Sequence, residues 1–240
     1  MSDGHTKISK RQSILAIIPA RGGSKRIPRK NIAPLAGKPL LAYSIEHALQ
    51  ARQVNRTIVS TDDDEIAEIA RQYGAEVVMR PPELATDTAT SEDALLHVMD
   101  HLEEKENFPL NMIAFLQCTS PLRQPHDIDS AISTFVDKEA DSLFSAFRFN
   151  KYIWRLNNGI PVSLNYDYRK RWREQDFPCQ YQENGSIYIF KPWVLRKLRN
   201  RLGGKIAIYE MDYLSSIQVD TSEDLLLCEW VLERRRKIRG

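Results

Sequence analysis

The amino-acid sequence predicts an α/β protein with a mostly parallel sheet and helices on both faces. Short apolar runs typical of buried strands alternate with longer stretches whose apolar residues recur at helical spacing. The connections between these stretches are short. Repeated strand–helix alternation of this kind is typical of a parallel sheet that is covered by helices on each side.

The strand candidates are the apolar runs at 13–20, 56–61, 75–79, 111–117, 142–147, 186–190 and 205–210. The helix candidates lie at 39–51, 62–73, 91–104, 126–138 and 222–237. In the first helix, Leu41, Ile45 and Ala48 share one apolar stripe. The second begins with four acidic residues, and the third has Ser91 as its predicted N-cap before an acidic first turn, which suits the positive end of a helix.

Residues 148–183 interrupt this alternation. They are rich in aromatic residues, arginine and turn residues, so we predict an insertion subdomain that covers a site or contacts a second subunit. Residues 13–238 are otherwise predicted to be a single domain, a size that is consistent with a chain of 240 residues. The polar residues 1–12 are predicted to form a flexible N-terminal arm.

Composition and charge argue against several classes of protein. The formal net charge is +2, so no global charge attracts nucleic acid or a membrane surface. The sequence has no apolar run near the roughly 18 residues of a membrane span, and its first residues do not resemble a signal peptide. The three cysteines, Cys118, Cys179 and Cys228, lack the spacing of a disulfide framework or a zinc site. These features predict a cytoplasmic protein without nucleic-acid or membrane partners.

A strongly basic loop follows the first strand. The stretch IIPARGGSKRIPRKNI places five cationic residues between positions 21 and 30. Gly22 and Gly23 permit a tight turn that brings backbone N–H groups close to a ligand. Ligands of open α/β sheets bind outside the carboxyl ends of the strands, where this loop lies. The spacing fits neither GxxxxGK[ST] nor GxGxxG, so we predict a nucleoside triphosphate site of another kind, with a solvated surface loop as the alternative.

Six segments of the chain resemble the acylneuraminate cytidylyltransferases, the CMP-sialic acid synthetases. They are IIPARGGSKRIPRKNI with GKPLLAYSIEHAL, IVSTDDDEIAEIA, VVMRPPELATDTATSED, FLQCTSPLR, QYQENGSIYIF and SIQVDTSEDL. The segments occur in the family's order, and the resemblance extends to about residue 230. It implies a Rossmann-like nucleotidyltransferase fold and a homodimer. It also implies that CTP and a 2-keto-3-deoxy sugar acid react to give the CMP-sugar and diphosphate.

The resemblance implies a nucleotide site made of Arg21, Gly22, Ser24, Lys25, Lys30, Asn31, Arg80 and Ser91. Arg21 and Lys30 are the candidates for catalysis, because fixed cations stabilise the charge that develops on the departing diphosphate. Arg26 stands where relatives often have glycine, so its role is open. Arg80 could instead be an ordinary cation at a strand end, and Asp87 with Thr88 could be ordinary capping residues.

A sugar site is implied at Gln117, Thr119, Ser120, Arg123 and Tyr188. Gln117 could instead be a backbone partner at a strand end, and Tyr188 could be a core tyrosine. Relatives often have basic residues at three nearby positions that hold Glu174, Gln182 and Glu183 in this chain. The identity of the sugar is therefore less determined than the type of reaction.

Asp220 is the implied ligand of Mg²⁺, the expected cofactor, and the third candidate for catalysis. The family often places two aspartates here, two residues apart, and this chain has Gln218 at the first position. A neutral amide binds Mg²⁺ less well than a carboxylate, because Mg²⁺ prefers hard anionic oxygens. Asp220 could alternatively cap the last helix.

Three alternatives to a sialic-type substrate or to catalysis remain open at this point. The same reaction could act on legionaminate, pseudaminate or 3-deoxy-manno-octulosonate. The chain could instead be a regulatory module that binds CTP without catalysis, which the loss of a carboxylate at Gln218 favours. A nucleic-acid binder is disfavoured by the near-neutral charge and by the absence of aromatics within a basic stripe.

Overall fold

A seven-stranded sheet forms the centre of the computed structural model, which describes residues 13–239. The strands are β1 (Ile14–Pro19), β2 (Pro34–Leu35), β3 (Lys38–Pro39), β4 (Arg56–Thr61), β5 (Glu76–Met79), β6 (Met112–Leu116), β7 (Ser142–Phe149), β8 (Trp154–Asn157), β9 (Ile160–Ser163), β10 (Gln180–Phe190) and β11 (Ile206–Glu210). The order in the central sheet is β11-β7-β10-β6-β1-β4-β5. The pairs β2–β3 and β8–β9 form separate hairpins.

Strand β10 runs antiparallel to both of its neighbours, β6 and β7, whereas the other pairs in the central sheet are parallel. The prediction of a mostly parallel α/β sheet is therefore confirmed. β10 begins at Gln180 rather than at residue 186, because residues 180–183, which are half-buried or exposed, also pair with β7. An apolar pattern alone does not detect this polar half of the strand.

The helices are α1 (Leu40–Gln50), α2 (Asp64–Gln72), α3 (Ser91–Glu106), α4 (Asp127–Asp137), α5 (Pro192–Leu198) and α6 (Ser222–Arg239). Helix α5 was not predicted, because its seven residues are too few to show helical periodicity. Along β1, Ala16 and Ile18 belong to one buried apolar cluster, and Leu15 and Ile17 belong to the other. The strand is buried on both faces, which explains its unbroken apolar sequence.

The predicted insertion contains the hairpin of β8 and β9. Its turn, Asn158–Gly159, has positive φ at both residues, 49° and 80°, as the favoured two-residue hairpin turns require. Trp154, Leu156 and Ile160 of the hairpin are exposed by 45%, 70% and 67%. The predicted domain limits stay predictions, and the predicted arm, 1–12, lies outside the described residues.

Within residues 13–239, the structure has no helix that is both long enough and apolar enough to cross a membrane. All three cysteines carry free thiols, and Cys118 and Cys228 are buried.

Candidate active site

A cavity of about 500 Å³ opens where β1 and β6 end, at the carboxyl edge of the sheet. Pro19 of β1 and Phe115 of β6 form part of its wall. The predicted site residues that line it are Arg21, Ser24, Lys25, Lys30, Asn31, Arg80, Ser91, Gln117, Thr119 and Asp220. The structure thus brings residues from both predicted sites into one cavity.

The basic loop is held in place by side chains beneath it. Asn31 is buried, and its Nδ2 donates to the carbonyl oxygen of Arg21 at 2.8 Å. The backbone N–H of Gly22 does not face the cavity, because it donates to Oδ1 of Asp62 at 3.1 Å. Arg29 has a left-handed backbone, with φ 53°, and its guanidinium binds the carboxylate of Asp63 at 3.0 Å. The hydrogen bonds of Asn31 and Arg29 anchor the two ends of the loop.

Two cations of the loop share one carboxylate across the cavity. Lys25 Nζ lies 2.6 Å from Asp87, and an Arg21 nitrogen lies 3.5 Å from the same residue. Arg21 also donates to the carbonyl oxygen of Thr86 at 2.9 Å. The Lys25 ammonium beside Asp87 holds the pKa of that carboxyl below its usual value. Asp87 is therefore a carboxylate that pairs with both cations.

Lys30 lies deeper in the cavity than the other loop cations. Its Nζ donates to the carbonyl oxygen of Val219 at 3.0 Å and to Oδ1 of Asp220 at 3.1 Å. Arg26 lies at 3.9 Å from the same Oδ1, so the structure gives this residue a place in the cavity wall. The predicted alternative for Asp220 was a helix cap. The side chain that accepts from the first turn of α6 is instead Thr221, whose Oγ1 accepts from the N–H of Asp224.

Arg80 is buried at 8% exposure and follows β5. Two of its guanidinium nitrogens donate to the carbonyl oxygens of Ser60, at 2.9 Å, and Leu84, at 3.3 Å. Its Nε has no hydrogen-bond partner among the described residues. Burial lowers the pKa of Arg80, because a charged guanidinium is less stable away from water. Arg80 thus brings a buried positive charge to the cavity wall.

The N-terminus of α3 faces the cavity, but the sequence analysis placed its cap one residue too late. Thr90 is the N-cap: its Oγ1 accepts from the N–H of Asp93, whose carboxylate accepts from the N–H of Thr90. Ser91 is the first helical residue instead, and both Thr90 and Ser91 line the cavity. The error arose because Thr and Ser are both good caps, and only the backbone conformation distinguishes them.

The loop after β6 contributes Gln117 and Thr119 to the cavity, but its other two predicted residues are directed elsewhere. The Ser120 side chain is buried, and its Oγ has no hydrogen-bond partner among the described residues. Arg123 is 2% exposed and donates to the carbonyl oxygens of Gln117, at 2.6 Å, and Ser186, at 2.8 Å. Burial lowers its pKa to about 10, so it remains protonated near neutral pH. Arg123 holds backbone segments together, and its contact with a sugar stays a prediction.

Tyr188 lies behind the cavity wall and not in it. Its ring stacks on Phe115 with centroids 5.4 Å apart, and its hydroxyl donates to Glu183. The Arg201 guanidinium lies 4.8 Å from the Tyr188 ring centroid and is bound to Glu92 in the first turn of α3. Burial, reinforced by Glu183, raises the pKa of Tyr188, so its hydroxyl is protonated at physiological pH. Tyr188 thus joins the sheet to the helix that carries Ser91.

Residues of the cavity wall that the sequence analysis did not assign to a site are Pro19, Arg26, Asp87, Ala89, Thr90, Phe115 and Cys118. Asp87 lies in the segment VVMRPPELATDTATSED, so its position in a family motif could have marked it as a site residue. Its contact with Lys25 is visible only in the structure. Cys118 has no such signal, and burial raises the pKa of its thiol to about 12. Cys118 is therefore a neutral wall residue and not a nucleophile.

Comparison with known proteins identifies relatives of the whole chain. A sequence profile of the family described as Cytidylyltransferase matches residues 15–234. The N-acylneuraminate cytidylyltransferase of Oncorhynchus mykiss is 34% identical over 95% of this chain and 51% of the relative. That of Escherichia coli O18:K1:H7 is 35% identical over 95% of this chain and 54% of the relative. The chain thus spans about half the length of these relatives.

Other relatives match over nearly their whole length. A pseudaminic acid cytidylyltransferase of Campylobacter jejuni is 34% identical over 88% of this chain and 92% of the relative. The solved structure of a CMP:2-keto-3-deoxy-manno-octonic acid synthetase complexed with CTP has a TM-score of 0.68 at 19% identity, over 93% of this chain and all of that one. A 4-diphosphocytidyl-2C-methyl-D-erythritol synthase has a TM-score of 0.70 at 12% identity, over 93% and 100% of the two chains. These structures share the fold, and the sequence matches show that the chain belongs to the cytidylyltransferase family.

Proposed function

We propose that this protein transfers CMP from CTP to a sialic-type keto-sugar acid and releases diphosphate. The observation that carries the proposal is the convergence of five cationic side chains, Arg21, Lys25, Arg26, Lys30 and Arg80, on one cavity of a cytidylyltransferase fold. A nucleoside triphosphate is a polyanion, and cations held in a cavity stabilise its negative charge. The N-terminus of α3 adds partial positive charge at the same place.

The contacts of Asp87 suggest how the phosphates bind. Asp87 is 54% exposed at its side chain and reaches Lys25 from the loop before α3. An incoming phosphate group would replace this carboxylate, because phosphate offers more acceptor oxygens and more charge. Arg21 and Lys25 would then bind the β- and γ-phosphates that leave as diphosphate.

The reaction is a substitution at the α-phosphorus of CTP. The hydroxyl on C2 of the sugar acid attacks the phosphorus and gives up its proton to solvent. A new oxygen–phosphorus bond forms, and the bond to the bridging oxygen of the diphosphate breaks. Negative charge develops on the departing oxygens, and Lys30 and Arg21 stabilise it. No histidine lines the cavity among the described residues, so the chain contributes mainly positioning and charge.

The residues around Asp220 fit one Mg²⁺ ion held by a single protein carboxylate. Asp220 lines the cavity, and its side chain is 48% exposed. Mg²⁺ is commonly held by one or two carboxylates together with phosphate oxygens and water, so a larger protein cluster is not required. Residues 13–239 contain no group of three or more His, Cys, Asp or Glu side chains placed to hold a metal. When bound, the ion would neutralise charge on the triphosphate.

The identity of the sugar acid is a separate part of the proposal. N-acylneuraminate is favoured by the matches to N-acylneuraminate cytidylyltransferases. Pseudaminate is the second candidate, because the Campylobacter jejuni relative is equally similar, at 34% identity. Legionaminate and 3-deoxy-manno-octulosonate complete the set of acids to be tested.

We also propose that the protein is a cytoplasmic homodimer. Trp154 and Leu156, which are exposed and share one face of the β8–β9 hairpin, are the proposed contact. Such a face is stabilised when a partner covers its apolar residues. Analytical ultracentrifugation at several concentrations tests the dimer, and Leu156→Asp should shift the sedimentation coefficient toward the monomer.

The test of the function is diphosphate release from CTP and Mg²⁺ with each of the four acids. ATP, GTP and UTP replace CTP in control reactions. Release that requires CTP and one acid supports the proposal and identifies the substrate. Binding of CTP without release with any of the four acids would favour the regulatory module that binds CTP without catalysis.

A further inference from the structure

Two glutamine side chains are paired at the edge of the cavity. Nε2 of Gln218 donates to Oε1 of Gln117 at 3.0 Å, although the residues are 101 positions apart. Gln117 lines the cavity. Gln218 is not one of the described residues that line it. Gln218 therefore reaches the cavity only through the amide of Gln117.

The backbone on both sides of this pair is fixed. The carbonyl oxygen of Gln117 accepts from Arg123 at 2.6 Å and from Oγ of Ser44 at 3.2 Å. The N–H of Val219 donates to the carbonyl oxygen of Thr119 at 2.8 Å, which fixes the register of the two segments. Side-chain torsions are the main freedom that remains to Gln117, so its partner at 218 decides how its amide is turned.

Strand β10 leaves space for the pair at Gly185. This glycine has φ +64°, and the strand pairing shifts register between Glu183 and Tyr188. A Cβ on Gly185 would lie 2.1 Å from Nε2 of Gln218 and 2.7 Å from Oε1 of Gln117. Only a residue without a side chain permits the two amides to meet here.

We propose that Gln218 is a positioning residue that makes Gln117 a hydrogen-bond donor toward an acceptor oxygen of the sugar acid. An amide has one acceptor end and one donor end, and the pairing uses the acceptor end of Gln117. Its Nε2 protons are then turned to the cavity, where a carboxylate or hydroxyl oxygen can accept them. A carboxylate at 218 could only accept, so it would bind Nε2 of Gln117 and turn Oε1 toward the substrate. This inference rests on the proposed function.

Steady-state kinetics of the full chain test the proposal. In Gln218→Glu, KM for the sugar acid should rise by about tenfold or more, because a hydrogen bond to the substrate is replaced by two opposed acceptors. KM for CTP should stay within about twofold. Gln218→Met keeps the size of the side chain and adds neither a charge nor a strong acceptor. It should give a smaller rise in KM for the sugar acid. Gln72→Glu on α2 adds an exposed carboxylate outside the cavity and should leave both KM values unchanged.

The split between the two KM values separates reorientation from simple loss of packing. A purely structural defect would raise KM for CTP together with KM for the sugar acid. An unchanged KM for the sugar acid in both substitutions at Gln218 would overturn the proposal.

Neutron diffraction from crystals exchanged into D₂O provides a readout that does not depend on activity. The deuterons of Gln218 Nε2 should point to Gln117 Oε1 in the unaltered protein, and those of Gln117 should point to the new carboxylate in Gln218→Glu. The opposite orientation in the unaltered protein would overturn the proposal even if the enzyme is active. Absence of diphosphate release with every acid would instead contradict the proposed function.

Discussion

Nζ of Lys30 lies 3.1 Å from Oδ1 of Asp220, although the two residues are 190 positions apart in the chain. Lys30 is 16% exposed at its side chain and also donates to the carbonyl oxygen of Val219. An ammonium has three donors, so two are used by the protein and one is available to a phosphate oxygen. Asp220 holds Lys30 in place and is itself the carboxylate proposed to bind Mg²⁺.

Lys30→Ala should lower kcat/KM by at least about tenfold, or about 1.4 kcal/mol of transition-state stabilisation. The loss follows because Lys30 is proposed to stabilise the departing diphosphate. Lys197→Ala on α5 removes an exposed cation outside the cavity and should be neutral. Diphosphate release measures both variants, and near-normal activity of Lys30→Ala would remove this residue from the mechanism.

Asp220→Asn should raise the Mg²⁺ concentration needed for half-maximal activity by about tenfold or more, since an amide is a poorer ligand than a carboxylate. The measurement is a magnesium titration of diphosphate release. Glu223→Gln removes an exposed carboxylate in the first turn of α6 and serves as the control. If the magnesium titration of Asp220→Asn matches that of the control, Asp220 is not a Mg²⁺ ligand, and its role is limited to the contacts with Lys30 and Arg26.

Asp87→Asn should strengthen CTP binding by about 1.5-fold to fivefold, the range expected for removal of an exposed ion pair. Lys25 and Arg21 would lose their carboxylate partner, so the phosphates would no longer have to displace it. Calorimetric titration with CTP at low and high salt measures the effect. The gain should shrink at high salt, and weaker binding of CTP at low salt would show that Asp87 contributes to the site.

Gly22→Ala and Gly23→Ala form a matched pair in the basic loop. A Cβ on Gly22 would lie 2.6 Å from Oδ2 of Asp63, whereas a Cβ on Gly23 would meet nothing within 4 Å. Asp63 is held by Arg29, so it cannot give way without loss of that ion pair. We expect Gly22→Ala to lower the melting temperature and raise KM for CTP, with Gly23→Ala close to the unaltered protein. Equal behaviour of the two variants would contradict this account of the loop.

His47 should make the protein less stable in acid. Burial, reinforced by the nearby charges of Arg123, Arg235 and Lys38, lowers its pKa from 6.5 to about 3, so the unfolded chain binds the proton first. Stability is fully present above about pH 6.5 and falls as the pH drops toward 3, by up to about 1.4 kcal/mol per pH unit.

The measurement is urea unfolding of the unaltered protein and of His47→Gln between about pH 4 and pH 7. The slope of stability against pH should be shallower in His47→Gln. His126→Gln changes an exposed histidine and should keep the original slope. Identical slopes for all three proteins would mean that another group causes the acid sensitivity.

The sequence predicted the parts of the fold that depend on local pattern. β1 is apolar on both faces because two buried clusters enclose it, and the same burial makes the charged loop after it conspicuous. Arginine in a sequence indicates charge but not direction: Arg21 faces the cavity, whereas Arg123 turns inward to carbonyl oxygens. That direction depends on segments far away in the chain, so no local pattern contains it.

Contacts between segments that are distant in the chain could not be predicted from local sequence patterns either. The Gln117–Gln218 pair requires the backbone of β10 at Gly185, and the Lys25–Asp87 pair requires the loop before α3 to fold toward β1. Departure from a family pattern marked Gln218 as unusual, but its partner became visible only in the structure.

The cavity joins residues 19 and 220, so almost the whole described chain separates its first wall residue from its last. During synthesis on the ribosome, the basic loop is therefore complete long before Asp220 emerges to neutralise Lys30. Until residues 214–220 dock, a growing chain exposes Lys30 and Arg26 without their shared carboxylate next to a polyanionic RNA surface. We expect nascent chains stalled before residue 214 to contact the ribosome surface in a salt-sensitive way, and docking of 214–220 to weaken that contact.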